Sequence, residues 1–429
     1  KSCCGRKMIF NSSVFFILFL AGTVFDFVLN QFLEASDFFF RKKHGKQIPE
    51  RLKDFLNAQE LKKTCAYEDA KYFVWIPSNI LNFILKLALV LSGFYVFLYE
   101  NFYNFTENVF ATVILFSIVS GIPSFIVNLP FSLYREFRIE KKFGFSNMNL
   151  KLWILDFAKS TVLSAVIAIP ILCATVALIV CFNKIWWLLF AIVYLAFSLG
   201  ISYIYPVLIA PIFNKFSPLE EGEIKERIEK LFAKTGFKTS GIFTMDASRR
   251  SNHSNAYFTG FGKNKRIVLY DTLIKQLEPS EIEAVLGHEL GHCKKHHIAK
   301  RMIVMIPLVF VSLLAASLIA KLPPLYSAFG YEPLETIAPY IQPLGLLFIG
   351  LVFEGYGNIV SLVSNFFSRK DEFQADAYSK EMCGTSQPLI SALIKLNKEN
   401  LSELEPPKIY SMFNYSHPPL MERIKALES

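Results

Sequence analysis

Residues 288–292 read His-Glu-Leu-Gly-His, and this stretch carries the most specific chemistry in the chain. On a helix, residues four apart share a face, so His288 and His292 can aim imidazole nitrogens at one ion. Glu289 sits a short arc round the same surface, within reach of a metal-bound water. That is the H-E-x-x-H pattern of metal-assisted peptide hydrolysis: the ion acidifies the water and the glutamate takes its proton. Five residues alone can match by chance, so the pattern needs a third ligand and elements that hold all three together.

A catalytic zinc wants three protein ligands and one open position. The segment Asp371-Glu372-Phe373-Gln374-Ala375-Asp376 offers Glu372 as the third, with Asp376 one turn later to orient a liganding histidine through its other ring nitrogen. Asp371 is the local competitor but has no aspartate one turn on. His296 and His297, next along the motif helix, read as solvated or interfacial, and His44 stands alone in a basic loop. Two further stretches suit peptide hydrolysis. Asn255-Ala256-Tyr257-Phe258 reads as an edge strand to which a peptide substrate could be added, with the Asn255 amide fixing its backbone. His417, followed by Pro418-Pro419, could stabilise the oxyanion of a tetrahedral intermediate.

The elements that must position these residues lie in an apolar chain. Of its 429 residues 53% are hydrophobic, 43 are Phe, and the mean hydropathy is +0.36. Several apolar runs reach the roughly 20 residues needed to cross a bilayer as a helix. Seven spans are expected, at 8–35, 73–99, 109–132, 153–182, 185–210, 302–321 and 337–367. The net charge of +9 is therefore a matter of topology and does not signal nucleic acid. Lys and Arg crowd the odd-numbered connections (Arg41 to Lys71, and Arg135 to Lys151), whereas 100–108 has none and the fourth and sixth offer only Lys184 and Lys321. By the positive-inside rule the odd connections and the C-terminus face the cytosol. Seven cysteines with no C-x-x-C pair suggest neither a disulfide framework nor a zinc ribbon. Cys3-Cys4 is expected to be unmodified, and the long first apolar run to be uncleaved.

Residues 211–301 form the largest soluble connection. It opens with an amphipathic helix, Glu220 to Lys234, followed by strands at Gly241–Met245, Ala256–Thr259 and Arg266–Tyr270; the last two form a hairpin round Gly260–Asn264. Ser280 with Glu283 is expected to cap the motif helix, which should run without a break into the sixth span. The resulting organisation is five spans with basic cytosolic loops in 1–210, a zinc domain in 211–301, spans six and seven in 302–367, and the rest of the zinc domain in 368–429.

With these motifs in place, the sequence resembles the type I CAAX prenyl protease family of membrane zinc metallopeptidases. The matching stretches are His288–His292, Glu372–Asp376, Asn255–Phe258, His417–Pro419 and Phe137–Phe145. The first loop departs from the family pattern at Thr64-Cys65-Ala66-Tyr67. The resemblance implies an all-α polytopic membrane protein whose seven transmembrane helices enclose a chamber, closed on the cytosolic side by a small α+β zinc metallopeptidase domain. It implies one zinc per chain on His288, His292 and Glu372, with Glu289 as base and Asn255 and His417 contacting substrate and oxyanion. It also implies removal of the last three residues of prenylated proteins by a monomer in the bilayer, with no nucleic-acid partner. The compartment would be the endoplasmic reticulum or inner nuclear membrane in a eukaryote, or the cytoplasmic membrane in a bacterium. The alternative enzyme is a quality-control metalloprotease of membrane proteins. The non-enzymatic alternative is a scaffold or a transporter, for which Asp26 and Glu354 are the notable intramembrane acids.

Overall fold

A chain inside hydrocarbon must satisfy its backbone polar groups internally, and so the apolar runs become helices. The computed structural model describes residues 14–259, 265–332 and 335–429. Helix α1 spans Val14–His44 and α2 spans Ala58–Leu91. A short helix α3, Phe94–Thr106, turns back against α4, Val109–Tyr134, which continues through a wide π turn to Phe143. Helices α5 (Leu150–Cys181) and α6 (Trp186–Ile204, extended to Phe213) complete the first half. Among the described residues six helices are long and apolar enough to span a membrane, and a bent pair near the C-terminus brings the number to seven if its two arms are one span.

The second span departs from its expected bounds of 73–99. It begins at Ala58 because the Asn57 side chain accepts from the N–H groups of Gln59 and Glu60 while Glu60 returns a bond to the Asn57 N–H. This capping box lies inside the basic stretch, where hydropathy gives no signal. It stops at Leu91 because Gly93 takes a left-handed conformation, φ 67°. Residues 100–106, expected as a loop, are the end of α3.

Strand β1 (Phe216–Pro218), helix α7 (Glu223–Thr235), and strands β2 (Gly241–Met245), β3 (Ala256–Thr259) and β4 (Arg266–Tyr270) follow. The sheet order is β1-β2-β4-β3, with β2 and β4 parallel and the outer pairs antiparallel. Thr259 pairs with Arg266, as the hairpin requires; its turn, like Cys3-Cys4, lies outside the described residues. Then come α8 (Asp271–Gln276), the motif helix α9 (Pro279–Lys294) and α10 (His297–Ile319). Short α11 (Pro323–Ser327) leads to α12 (Gln342–Glu354) and α13 (Gly357–Cys383), and α14 (Gln387–Glu399), α15 (Lys408–Asn414) and α16 (Leu420–Glu428) close the chain.

The connections segregate to two ends. At one, Lys321 Nζ donates to the Asn183 carbonyl at 2.9 Å, Gln342 Nε2 to Asn183 Oδ1 at 3.0 Å, and Tyr103 stacks on Tyr340. At the other, Lys398 pairs with Glu60 at 2.6 Å and Asn147 donates to the Ser248 carbonyl. Val162, Val166, Ile303 and Val304 of the long helices are exposed, and between the spans a cavity of about 410 Å³ is lined in part by Asp26, Asn79, Asn82, Lys86 and Glu354. The two intramembrane acids are partnered there: Asn358 Nδ2 donates to Asp26 at 2.8 Å, and Lys86 meets Glu354 at 2.9 Å.

Helices α12 and α13 meet at 65°, and α1 crosses them at that corner. A Cβ on Gly355 would lie 2.2 Å from the Gly22 carbonyl carbon, so only glycine permits the approach. Overpacking of this kind costs about 1–3 kcal/mol. Gly355→Val should therefore lower the thermal unfolding midpoint in detergent. Gly357→Ala, whose methyl would meet nothing within 4 Å, should not; matching midpoints for the two variants would remove the crossing as a stabilising contact.

Candidate metal centre

The motif helix starts two residues earlier than the sequence suggests. Pro279 needs no N–H partner and suits the first helical position, which makes Glu278 the cap, in a reciprocal box with Glu281. Glu283 turns instead to Arg227 at 3.2 Å. Nor does the helix run into the sixth span. It ends at Lys294, and His296 adopts a left-handed conformation, φ 56°, before α10 begins at His297. No glycine or proline marks this break, which is why the sequence conceals it.

Helix α9 lies against α13 through small residues. A Cβ on Gly291 would be 2.8 Å from Ala375 Cα, and one on Gly287 would be 3.2 Å from Ser379 Oγ. Ser379 Oγ donates to the Ala284 carbonyl at 2.6 Å. This apposition brings the two halves of the motif together. His288 Nε2 and His292 Nε2 are 3.2 Å apart, with Glu372 oxygens 3.4 Å from the first and 3.3 Å from the second. Zinc–ligand bonds of roughly 2.0–2.1 Å at tetrahedral angles require donors about 3.3 Å apart, so the triangle fits such an ion. Glu372 Oε2 is buried with no hydrogen-bond partner, the state expected of an acceptor reserved for a cation. Asp371 is turned away to Arg301 (Nη2–Oδ2 3.0 Å).

Each histidine is held from behind. His288 Nδ1 lies 2.7 Å from Asp376 Oδ1, and Arg423 clamps both Asp376 oxygens at 2.6 and 2.9 Å. His292 Nδ1 lies 3.0 Å from His297 Nδ1. His297 is buried, which corrects the expectation that it is solvated or interfacial. Arg423 and His297 are the residues that sequence reasoning missed. Spacing shows neither, because each depends on which helix lies across from it.

The remaining candidates cluster round this triangle to different degrees. Glu289 is half-buried, and burial pushes its pKa above the usual carboxylate range despite the two histidines beside it. His417 Nε2 comes within 3.6 Å of Glu372 Oε1, and its ring is 64% exposed at the mouth of the site. Asn255 is exposed at the start of β3, the edge strand, where its carbonyl accepts the Tyr270 N–H. Ala256 shares a buried core with Leu286 and Leu290 of the motif helix, which sets the strand beside the site. Tyr67, from the departing first-loop stretch, donates to Glu140 at 2.9 Å; Glu140 also lies 3.6 Å from His253, tying the bundle to the residues before β3.

A helical membrane bundle with a buried His-His-Glu triangle and an adjacent carboxylate defines a membrane metallopeptidase. Comparison with known proteins agrees. Residues 38–215 match the CAAX prenyl protease N-terminal model of five membrane helices, and 218–429 match peptidase family M48. The CAAX prenyl protease 1 homolog of Arabidopsis thaliana is 34% identical over 89% of this chain and 90% of its own length. CAAX prenyl protease 1 of Saccharomyces cerevisiae is 32% identical over 91% and 90%. The crystal structure of S. mikatae Ste24p aligns with a TM-score of 0.89 at 31% identity, covering 98% of this chain and 100% of that one. The chain belongs to the CAAX prenyl protease 1 family of M48 peptidases, multi-pass membrane metalloproteases.

Protonation of the triangle competes with metal uptake. Burial alone would lower the His288 pKa, but the carboxylates of Asp376 and Glu372 beside it outweigh burial and raise it to about 9. A cation has to displace that proton. Affinity of the metal-free protein for zinc should therefore rise by about tenfold per pH unit from pH 7 to near 9, then level off. Chelator competition across that range measures it. Asp376→Asn should move the plateau toward the ordinary histidine range, and a plateau at the same pH in that variant would contradict the assignment.

Proposed function

We propose that the centre holds one zinc ion on His288, His292 and Glu372, and that the protein removes the last three residues of C-terminally prenylated proteins at the cytosolic face. The observation that carries this reading is the triangle's place at the junction of a soluble sheet and two spans: α10 begins five residues after His292, and Glu372 lies on α13, the second arm of the last span. The names of the relatives supply the substrate class. Residues 211–301 and 368–429 act as one catalytic unit, joined through α9 and α13. Zinc bound there supplies a Lewis acid that polarises the scissile carbonyl and acidifies water.

The chain's own residues do the rest. A substrate segment adds to the exposed edge of β3, with the Asn255 side chain holding its backbone. Glu289 takes the proton of the attacking water and gives it to the leaving amine. Its raised pKa brings its proton affinity nearer working pH, as a base that must later act as an acid requires. His417, at the mouth, donates to the oxyanion. Asp376 and Arg423 keep His288 in the tautomer that leaves Nε2 free. The excess of Lys and Arg on the connections at the catalytic end supports the cytosolic assignment.

Glu289→Ala should retain zinc while hydrolysis is abolished, and His417→Ala should lower kcat by about 10²–10³ with KM little changed. Metal analysis beside steady-state kinetics reads both. Full turnover without Glu289 would remove it as the base.

The substrate reading has a separate test. A farnesyl group has fifteen carbons, each worth roughly 0.8 kcal/mol when buried. A farnesylated C-terminal peptide should be cleaved after the modified cysteine with kcat/KM at least about tenfold above its unprenylated twin, a factor worth only ~1.4 kcal/mol. Equal rates in detergent that keeps both peptides accessible would favour a quality-control protease of membrane proteins.

A further inference from the structure

The two metal-facing histidines are supported in different ways. His288 meets a carboxylate directly. His292, if it presents Nε2 to the metal as proposed above, keeps its proton on Nδ1. Opposite that proton, 3.0 Å away, is Nδ1 of His297. Two ring nitrogens can share a hydrogen bond only if one donates and the other accepts. His297 must then accept at Nδ1 and carry its own proton on Nε2. That atom faces two acceptors, Gln374 Oε1 at 3.4 Å and Asp371 Oδ1 at 3.6 Å. Asp371 in turn accepts from Arg301 at 3.0 Å. The series allows a single arrangement of protons, and every donor in it has an acceptor.

Two further observations show that His297 is held in place. It is 1% exposed, so bulk water does not compete for its nitrogens. It is also delivered by an uncommon backbone turn. His296 is one of three non-glycine residues with positive φ among those described, and its conformation breaks the α9–α10 path one residue before His297. A continuous helix would place residue 297 five positions beyond 292, off the metal-facing side. The turn is what brings the ring back.

We infer that His297 is a positioning residue of the metal centre, fixing the tautomer and ring orientation of His292 by accepting at Nδ1 while its own Nε2 is held by Gln374 and lies near the Asp371–Arg301 pair. This rests on His292 being a metal ligand. The chain gives His292 an acceptor that is neutral, with the carboxylate one step removed, whereas His288 has the carboxylate of Asp376 itself. Of the two carboxylates behind the histidines, only Asp376 therefore contributes negative charge directly to a ligand.

The test measures zinc affinity of the full-length protein in detergent by chelator competition. His297→Leu should bind zinc about 10–100-fold more weakly, and His297→Gln, whose side-chain oxygen can accept from His292, should recover most of that loss. A purely structural role for His297 would lower the unfolding midpoint of the metal-free protein but leave zinc affinity unchanged in the leucine variant, and that result overturns the inference. If His288→Ala also left affinity unchanged, the ligand assignment itself would be at fault, so the two failures are distinct. Should the leucine variant not fold, the wild-type protein loaded with cobalt(II) decides. Its proton spectrum should show two shifted ring N–H resonances protected from exchange, one from His288 and one from His292. A single protected resonance would mean that His297 does not accept from His292.

Discussion

The metal triangle depends on how closely two helices approach. Gly287 and Gly291 on α9 face Ser379 and Ala375 on α13 with so little room that a single methyl at Gly291 would sit 2.8 Å from a backbone carbon. Two histidines and a glutamate on separate helices reach donor separations near 3.3 Å only if the helix backbones are nearer than ordinary side chains permit. Small residues at four-residue spacing on both partners provide that approach, as they do where membrane helices pack. The same spacing puts Gly287 and Gly291 one residue before His288 and His292. The contact that draws the helices together is therefore interleaved with the residues that must converge.

Helix α13 carries this local contact into the membrane. Its first turns belong to the last span and are fixed by the Gly22–Gly355 crossing and by Tyr356, whose hydroxyl donates to the Leu18 carbonyl at 3.0 Å. Its later turns carry Glu372, Asp376 and Ala375. A shift of α1 against the α12–α13 corner would move Glu372 relative to His288. Arg41, near the end of α1, forms a second tie. Buried among Asp37, Asp69 and Glu403, it joins α1 to α2 and to the segment after α14. Removing one partner from such a buried charge group costs about 3–5 kcal/mol, so these attachments are well suited to resist sliding.

What the sequence disclosed and what it concealed divide along physical lines. The His288–His292 pair, the Glu372–Asp376 spacing, the three main strands and six of the seven expected spans were all legible, since each follows from periodicity within one element; the seventh is a bent pair of helices. The ends of α2 were not: a polar capping box and a left-handed glycine decide them, and hydropathy registers neither. The break at His296 was concealed because a histidine in the left-handed region looks like any helical histidine in sequence. For the same reason His297 read as solvated. Arg423 was visible as a residue but not as the clamp on Asp376, because its role depends on α16 folding across α13. Elements declare themselves locally, whereas the residues that back the triangle come together from three helices, α10, α13 and α16.

This arrangement also constrains what can reach the triangle. His292 is followed within five residues by a helix long and apolar enough to span a membrane and Glu372 lies on the arm of the bent pair, so the three donors cannot move away from the ends of those helices without unfolding the bundle. Between the spans the lining is mixed: one cavity sets Lys86, Asp26, Glu354 and two asparagines beside Phe27, Phe83 and Leu351, and another is lined mostly by apolar side chains such as Phe73, Val74 and Phe131. A lipid-bearing substrate would then divide its chemistry. Its peptide can meet the polar groups of the lining and the edge of β3, while its hydrocarbon is more stable against apolar surface or in the bilayer itself. The fold is thus organised round a boundary between two solvents. The triangle sits where the sheet domain meets the ends of those helices.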